Sequence, residues 1–254
     1  MLYGPAMSLS VDQCTAAITR YSSALADAAR GNLDARVEHC PDWSVADLVH
    51  HVTEVHWLWR TVAAELPDAP PDDSRKPPRA PADKLIEVFE EGARQIVEVL
   101  AKADQSARCW TWYPSQQDVA FITRHQVQEA MVHAWDAANA AGKPLEMDPV
   151  LAADCVDEFL TTSLAEEEDA RNYDFPTFDA TISLRATDTG DGWTLTDGPI
   201  PGSLVMSRGA TEGVPTLTAP AGDLLLWVYR RLDRVPGDVP DDVVDRFRRM
   251  SGTD

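Results

Sequence analysis

One helical turn separates Glu129 from His133 in the stretch Glu129-Ala-Met-Val-His133. Positions i and i+4 of an α-helix share a face, so a carboxylate and an imidazole at this spacing can converge on one cation. Any further ligand must come from another helix. His51 is the residue on offer, because Leu48, Val52 and Val55 mark the face of its helix that turns inward. His50 lies about 100° around the same helix and points elsewhere. Spacing alone leaves two other readings open. Glu129 and His133 could form a solvated i,i+4 contact, and His51 could be a hydrogen-bonded core histidine. If the three do meet, two imidazoles and one carboxylate leave a fourth coordination position open, the arrangement of catalytic rather than structural zinc. A divalent ion there, Zn2+ foremost, turns a bound water or thiol into a nucleophile near neutral pH.

The neighbours of this trio offer supporting chemistry. Asp136, three residues past His133, reads either as a partner that orients the ligand or as a surface helix charge. Arg124 could grip a carboxylate of substrate or thiol in bidentate fashion, or form a surface salt bridge. Asp136 and Arg124 are the candidate catalytic residues. His56 reads as solvated. Trp110, Trp112 and Tyr113 read as a core plug between domains sooner than as a pocket wall. None of Cys14, Cys40, Cys109 and Cys155 has a basic neighbour that would mark a nucleophile, and no pair has CxxC spacing.

Long helices are needed to position these side chains. Apolar residues recur at Cys14, Ile18, Tyr21, Leu25 and Ala28, which predicts a helix from Val11 to a stop near Gly31. A second helix begins at Ser44, with Asp47 completing a capping box, and ends before Pro67. Six prolines within residues 67–81 predict an exposed loop. A third helix is expected from about Pro81 through Leu100, and a fourth from about Ser115 to Ala141, closed by Gly142 and Pro144. Four such helices bury their stripes most economically as a four-helix bundle. The second half changes character. One helix is expected over 149–170, then strands at Thr177–Ala186, Trp193–Asp197, Leu204–Ser207 and Pro215–Ala219. Helices at Ala221–Arg231 and Asp241–Met250 finish the chain. The expected class is thus α + (α+β): a bundle over 1–145 and a smaller α+β domain over 146–254.

Composition excludes some partners. The 254 residues carry 42 acidic and 22 basic side chains, a formal charge of −20. Such a surface repels nucleic acid and anionic lipid. No run of about 18 apolar residues exists to span a membrane. The opening MLYGPAMSLS lacks the pattern of a signal peptide, and Met7 is an alternative start. A cytoplasmic protein, monomeric or homodimeric, is expected. Four lysines beside 18 arginines suit a GC-rich genome.

Two stretches carry a family resemblance. Trp43-Ser-Val-Ala-Asp47-Leu-Val-His-His51-Val resembles the W-[ST]-x-x-D-L-x-x-H-[LV] motif of the mycothiol-dependent maleylpyruvate isomerase family. Arg124-His-Gln-Val-Gln-Glu129-Ala-Met-Val-His133-Ala-Trp-Asp136-Ala resembles its R-x-x-x-H-E-x-x-x-H-R-x-D-A helix, departing at Gln128 and Ala134. The tail Ala221-Gly222-Asp223-Leu-Leu-Leu-Trp, with Pro236-Gly237-Asp238, resembles the end of the family's second domain. The resemblance implies a DinB-like metal-binding bundle followed by a sterol-carrier-like domain, with His51, Glu129 and His133 as the metal ligands. It also implies mycothiol as thiol cosubstrate. In the isomerase, the thiolate adds to a conjugated double bond, the bond rotates, and the thiol leaves; in related transferases the thiol stays attached to an electrophile. The expected activity is therefore a thiol-using isomerase or S-transferase acting on a small electrophile. A non-catalytic small-molecule binding protein and a metal-dependent hydrolase are the alternatives.

Overall fold

A computed structural model of the protein describes residues 9–143 and 145–252. The alternative start at Met7 and the helix-stopping Pro144 lie outside the described residues. The chain divides into two compact units, one over Leu9–Glu146 and one from Met147 onward.

The first unit is built on four helices: α1 (Val11–Ala29), α2 (Val45–Glu65), α3 (Leu85–Lys102) and α4 (Val119–Ala140). Local chemistry sets their ends. Ser10 accepts from the Gln13 amide while Gln13 reaches back to Ser10, and Ser44 and Asp47 repeat this capping box on α2. The α1 helix stops at Gly31, whose φ of 72° lies in the left-handed region that glycine enters without a Cβ penalty. The proline-rich loop carries one short 3-10 turn, Asp73–Arg75, and Arg79 from that loop reaches back to Asp47 at 2.6 Å. Ile18, Tyr21, Leu25, Leu48, Phe89, Ile96 and Met131 are fully buried between the helices.

Two helix starts fall later than the sequence predicts. The α3 helix begins at Leu85, not near Pro81, because Lys84 N–H closes a turn on the Pro81 carbonyl first. The α4 helix begins at Val119, not near Ser115. The Thr111 hydroxyl ties to the Tyr113 and Gln116 carbonyls and holds that stretch as a loop, and Asp118 then caps the Phe121 amide. Along α4 the buried set includes His125, Gln126, Gln128 and Asp136. Such a run of enclosed polar groups is costly unless it is used.

The second unit holds α5 (Pro149–Thr162), α6 (Glu167–Asn172), β1 (Thr181–Ala186), β2 (Gly192–Asp197), β3 (Leu204–Arg208), β4 (Thr216–Ala219), α7 (Ala221–Val228) and α8 (Asp241–Arg249). The strands form one sheet in the order β3-β2-β1-β4, with β1 and β4 parallel and the other pairs antiparallel. Ile182, Leu184, Leu195 and Leu217 are buried with Phe159, Leu225 and Trp227 from the helices.

The single helix expected over 149–170 is two. Ala165 exchanges backbone hydrogen bonds with Met250 and Leu204, and Leu164 bridges Ser251, so the chain is drawn extended between α5 and α6. The first strand is shorter than expected, because Asp179 adopts φ 47° and the Asp197 carboxylate takes the amides of Phe178 and Asp179. The α7 helix stops before Arg231, with Arg230 at φ 61°. Gly237 is required by contact: a Cβ there would stand 2.3 Å from the Thr216 carbonyl oxygen.

Candidate metal centre

His51 from α2 and Glu129 and His133 from α4 meet inside the first unit. Each offers a ligand atom, and the three atoms lie within 4.8 Å of one another. The His51 and His133 rings stand edge to face, 5.2 Å between centroids, and Trp43 lies 4.8 Å from the His51 ring. His133 and Glu129 are nearly enclosed, with side chains 11% and 12% exposed. His50 faces away and pairs with Glu54 at 3.9 Å.

The donor set fits a divalent cation. His133 Nε2 is 3.5 Å from Glu129 Oε2, too long and out of line for a good hydrogen bond, and Oε2 is buried with no hydrogen-bond partner. Tetrahedral zinc with bonds of about 2.0–2.1 Å holds its ligand atoms roughly this far apart. A carboxylate oxygen orphaned between imidazoles is costly by itself and is satisfied by a cation.

Asp136 is 1% exposed, and His133 Nδ1 meets its Oδ2 at 3.1 Å. The carboxylate thus fixes the tautomer that turns Nε2 towards the trio. Electrostatics follow from this packing. Burial works against charge on His133, but its hydrogen bond to Asp136 and the negative charge of Glu129 beside it outweigh burial and raise the imidazole pKa to about 9. Burial also opposes charge on Glu129, yet the His125 and His133 contacts hold its carboxyl well below the usual range. Asp136→Asn is expected to weaken zinc binding roughly 10- to 100-fold, because the amide no longer raises ligand basicity. Competition against a chromophoric chelator measures this; unchanged affinity would sink the orienting role.

His125 was only one histidine among six in the sequence, yet it touches this centre. Its Nε2 is 3.4 Å from Glu129 Oε1, and Phe121, Trp59 and Trp112 surround its ring at 5.6, 5.9 and 5.6 Å. Its i,i+4 relation to Glu129, the mirror of the Glu129–His133 spacing, was the available signal. Arg124 lies half-buried on α4, five residues before Glu129. Trp112 is 39% exposed, so it is no core plug; Trp110 stacks on Trp59.

His56 is the clearest correction to the sequence reading. It is 1% exposed, not solvated, and stacks on Phe89 with centroids 5.4 Å apart. Burial pushes its pKa down to about 4. The unfolded chain, with an ordinary value near 6.5, takes up a proton first as pH falls. Stability is therefore full above about pH 6.5 and declines towards pH 4, by at most about 3 kcal/mol from this group. Urea unfolding at pH 5 and 7 should show His56→Phe flattening this slope, whereas an unchanged slope would contradict it.

All four cysteines are buried or half-buried, and burial lifts the Cys109 thiol to about 11. No disulfide joins any two of them. Among the described residues no helix is long and apolar enough to cross a membrane.

The fold has counterparts in known proteins. The profile described as the mycothiol maleylpyruvate isomerase N-terminal domain matches residues 12–138, half of the 254-residue chain. No curated protein matches the sequence. The crystal structure of the mycothiol-dependent maleylpyruvate isomerase is similar in fold, with a TM-score of 0.59 at 10% identity over 91% of this chain and 95% of that one. A crystal structure of a histidine-to-alanine mutant of that isomerase gives 0.58 at 9% identity, with the same coverage. Matched by that profile over the helices that bring His51, Glu129 and His133 together, the chain belongs to the mycothiol maleylpyruvate isomerase N-terminal domain family.

Proposed function

We propose that this protein is a metal-dependent enzyme that uses a low-molecular-weight thiol, mycothiol by family, to isomerise or S-conjugate a small electrophile. The observation that carries the reading is the convergence of His51, Glu129 and His133, with Asp136 behind His133. A divalent cation held by the three, zinc foremost, supplies Lewis acidity that makes a bound thiol nucleophilic near neutral pH.

The chain's own residues do the rest. Asp136 holds the His133 ring and its Nδ1 proton in place. Glu129 brings one negative charge, so a divalent ion with this set keeps a net positive charge that favours a thiolate. Trp43 and Phe121 pack against the rings of His51 and His125. Arg124, half-buried on the same helix, is assigned to a carboxylate of substrate or thiol.

Metal analysis combined with turnover of a panel of electrophiles, with and without mycothiol, tests the proposal. Stoichiometric metal with thiol-dependent turnover is expected. Retained metal with no turnover would replace it with a binding role, and turnover independent of thiol would replace it with hydrolysis.

A further inference from the structure

Glu129 stands between two imidazoles on one stripe of α4, with His125 a turn before it and His133 a turn after. Its two carboxylate oxygens face different rings. Oε2 lies 3.5 Å from His133 Nε2 and is buried with no hydrogen-bond partner. Oε1 lies 3.4 Å from His125 Nε2. The ligand atoms that come within 4.8 Å of one another belong to His51, Glu129 and His133. His125 stands outside that group, so it touches one ligand without being one.

Packing holds the His125 ring in this place. The residue is 5% exposed. Phe121 stacks on the ring at 5.6 Å with planes 14° apart. Trp59 and Trp112 meet it edge to face at 5.9 and 5.6 Å. A ring enclosed by three aromatic side chains keeps its plane, and Nε2 stays beside Oε1.

The contact bears on how the carboxylate meets a cation. A carboxylate brings either one oxygen or both to a metal. Both oxygens on zinc, together with two imidazoles, would fill all four positions of a tetrahedral site. No position would then be left for a thiol. A donor on one oxygen decides between the two modes. It draws charge from that oxygen, and its hydrogen bond must break before the oxygen can turn to the ion.

We propose that His125 is a positioning residue for the metal centre: its Nε2–H holds Glu129 Oε1, so that Oε2 alone reaches the cation and the fourth position stays open to the thiol. This rests on the metal-dependent, thiol-using reading above.

Two measurements on the full chain test it. The first needs no variant. Proton–nitrogen correlation NMR of the zinc-loaded wild type shows which imidazole nitrogens carry protons, and His125 should carry one on Nε2. A His125 protonated on Nδ1 alone, or bound to zinc through Nε2, would overturn the proposal. The second uses the cobalt-loaded protein with 2-mercaptoethanol, followed by the sulfur-to-cobalt charge-transfer band that appears when a thiolate takes the open position. His125→Phe keeps an aromatic ring among Phe121, Trp59 and Trp112 and removes the donor. With cobalt in excess and bound stoichiometrically, it should weaken thiol binding about tenfold, the lower end of what losing such a supporting contact costs. His125→Gln places an amide N–H where Nε2–H stood and should recover most of the loss. A phenylalanine variant that binds the thiol as the wild type does would overturn the proposal, as would a glutamine variant no better than phenylalanine. Should the phenylalanine variant fail to fold, the position of the wild-type proton decides. A wild type that binds cobalt but never shows the band would sink the thiol reading alone, and the Nε2 proton would still decide whether His125 holds Oε1. A wild type that takes up neither metal would overturn the metal reading and this role with it.

Discussion

Glu129→Gln should release the metal and lower thiol-dependent turnover by at least about a hundredfold. The substitution preserves shape and removes the one negative charge of the trio. An amide oxygen is a much weaker zinc ligand than a carboxylate, and two imidazoles alone make a poor site. The same change should also lower the stability of the metal-free protein, because the His125 and His133 contacts favour the ionised Glu129 carboxylate. Melting with and without zinc separates the two effects. In the wild type, free metal at 100 times its dissociation constant adds about 2.7 kcal/mol, and the variant should show almost none of this. A Glu129→Gln protein that retains stoichiometric zinc would remove Glu129 from the ligand set.

The largest effect on folding is expected in the second unit, at Asp157. This residue of α5 is 1% exposed as a side chain and accepts from Arg208 Nε and Nη2, both at 2.6 Å, and from Trp193 Nε1 at 3.1 Å. One carboxylate thus joins α5 to β2 and β3. Arg208 is itself only 20% exposed, so removing Asp157 strands a guanidinium and an indole N–H. Breaking a buried pair by deleting one partner costs about 3–5 kcal/mol, because the remaining charge stays desolvated. Asp157→Ala should therefore lower stability by about that amount in urea unfolding, with little change in metal affinity. Asp157→Leu combined with Arg208→Met should recover most of the loss, since matched apolar replacement of a buried pair is often close to neutral. A single variant within about 1 kcal/mol of wild type would show that the pair is already solvated.

These two sites differ in how far they could be read from the chain. Glu129 and His133 are fixed by local geometry, because four residues of helix bring them to one face whatever surrounds it. The inward stripe of Leu48 and Val52, both fully buried, likewise selects His51 over His50. Helix caps such as Ser44 with Asp47 are local as well, and the helix they start is where the sequence places it. The extent of α1 and α2 and the core of each strand follow from the same short-range patterns.

What local pattern does not contain is which polar residues the packing encloses. His56 and Asp136 each carry an ordinary polar side chain on a helix, and nothing in the spacing separates a solvated one from a buried one. Only the approach of α3, which places Phe89 and Gly92 over His56, makes that histidine apolar in its surroundings. The same holds for α5 and α6. Helical periodicity runs on through residue 163, and it is the pairing of Ala165 with Met250 and Leu204, distant in sequence, that interrupts it. The bidentate bond between Asp157 and Arg208 spans 51 residues and has no signature in either neighbourhood. The sequence by itself thus determined α1, α2 and the Glu129–His133 pair, because those depend on interactions within a turn or two. The tertiary structure alone decided that His125 and Asp136 flank that pair in a nearly closed interior, because burial is a property of what the rest of the chain brings against a face.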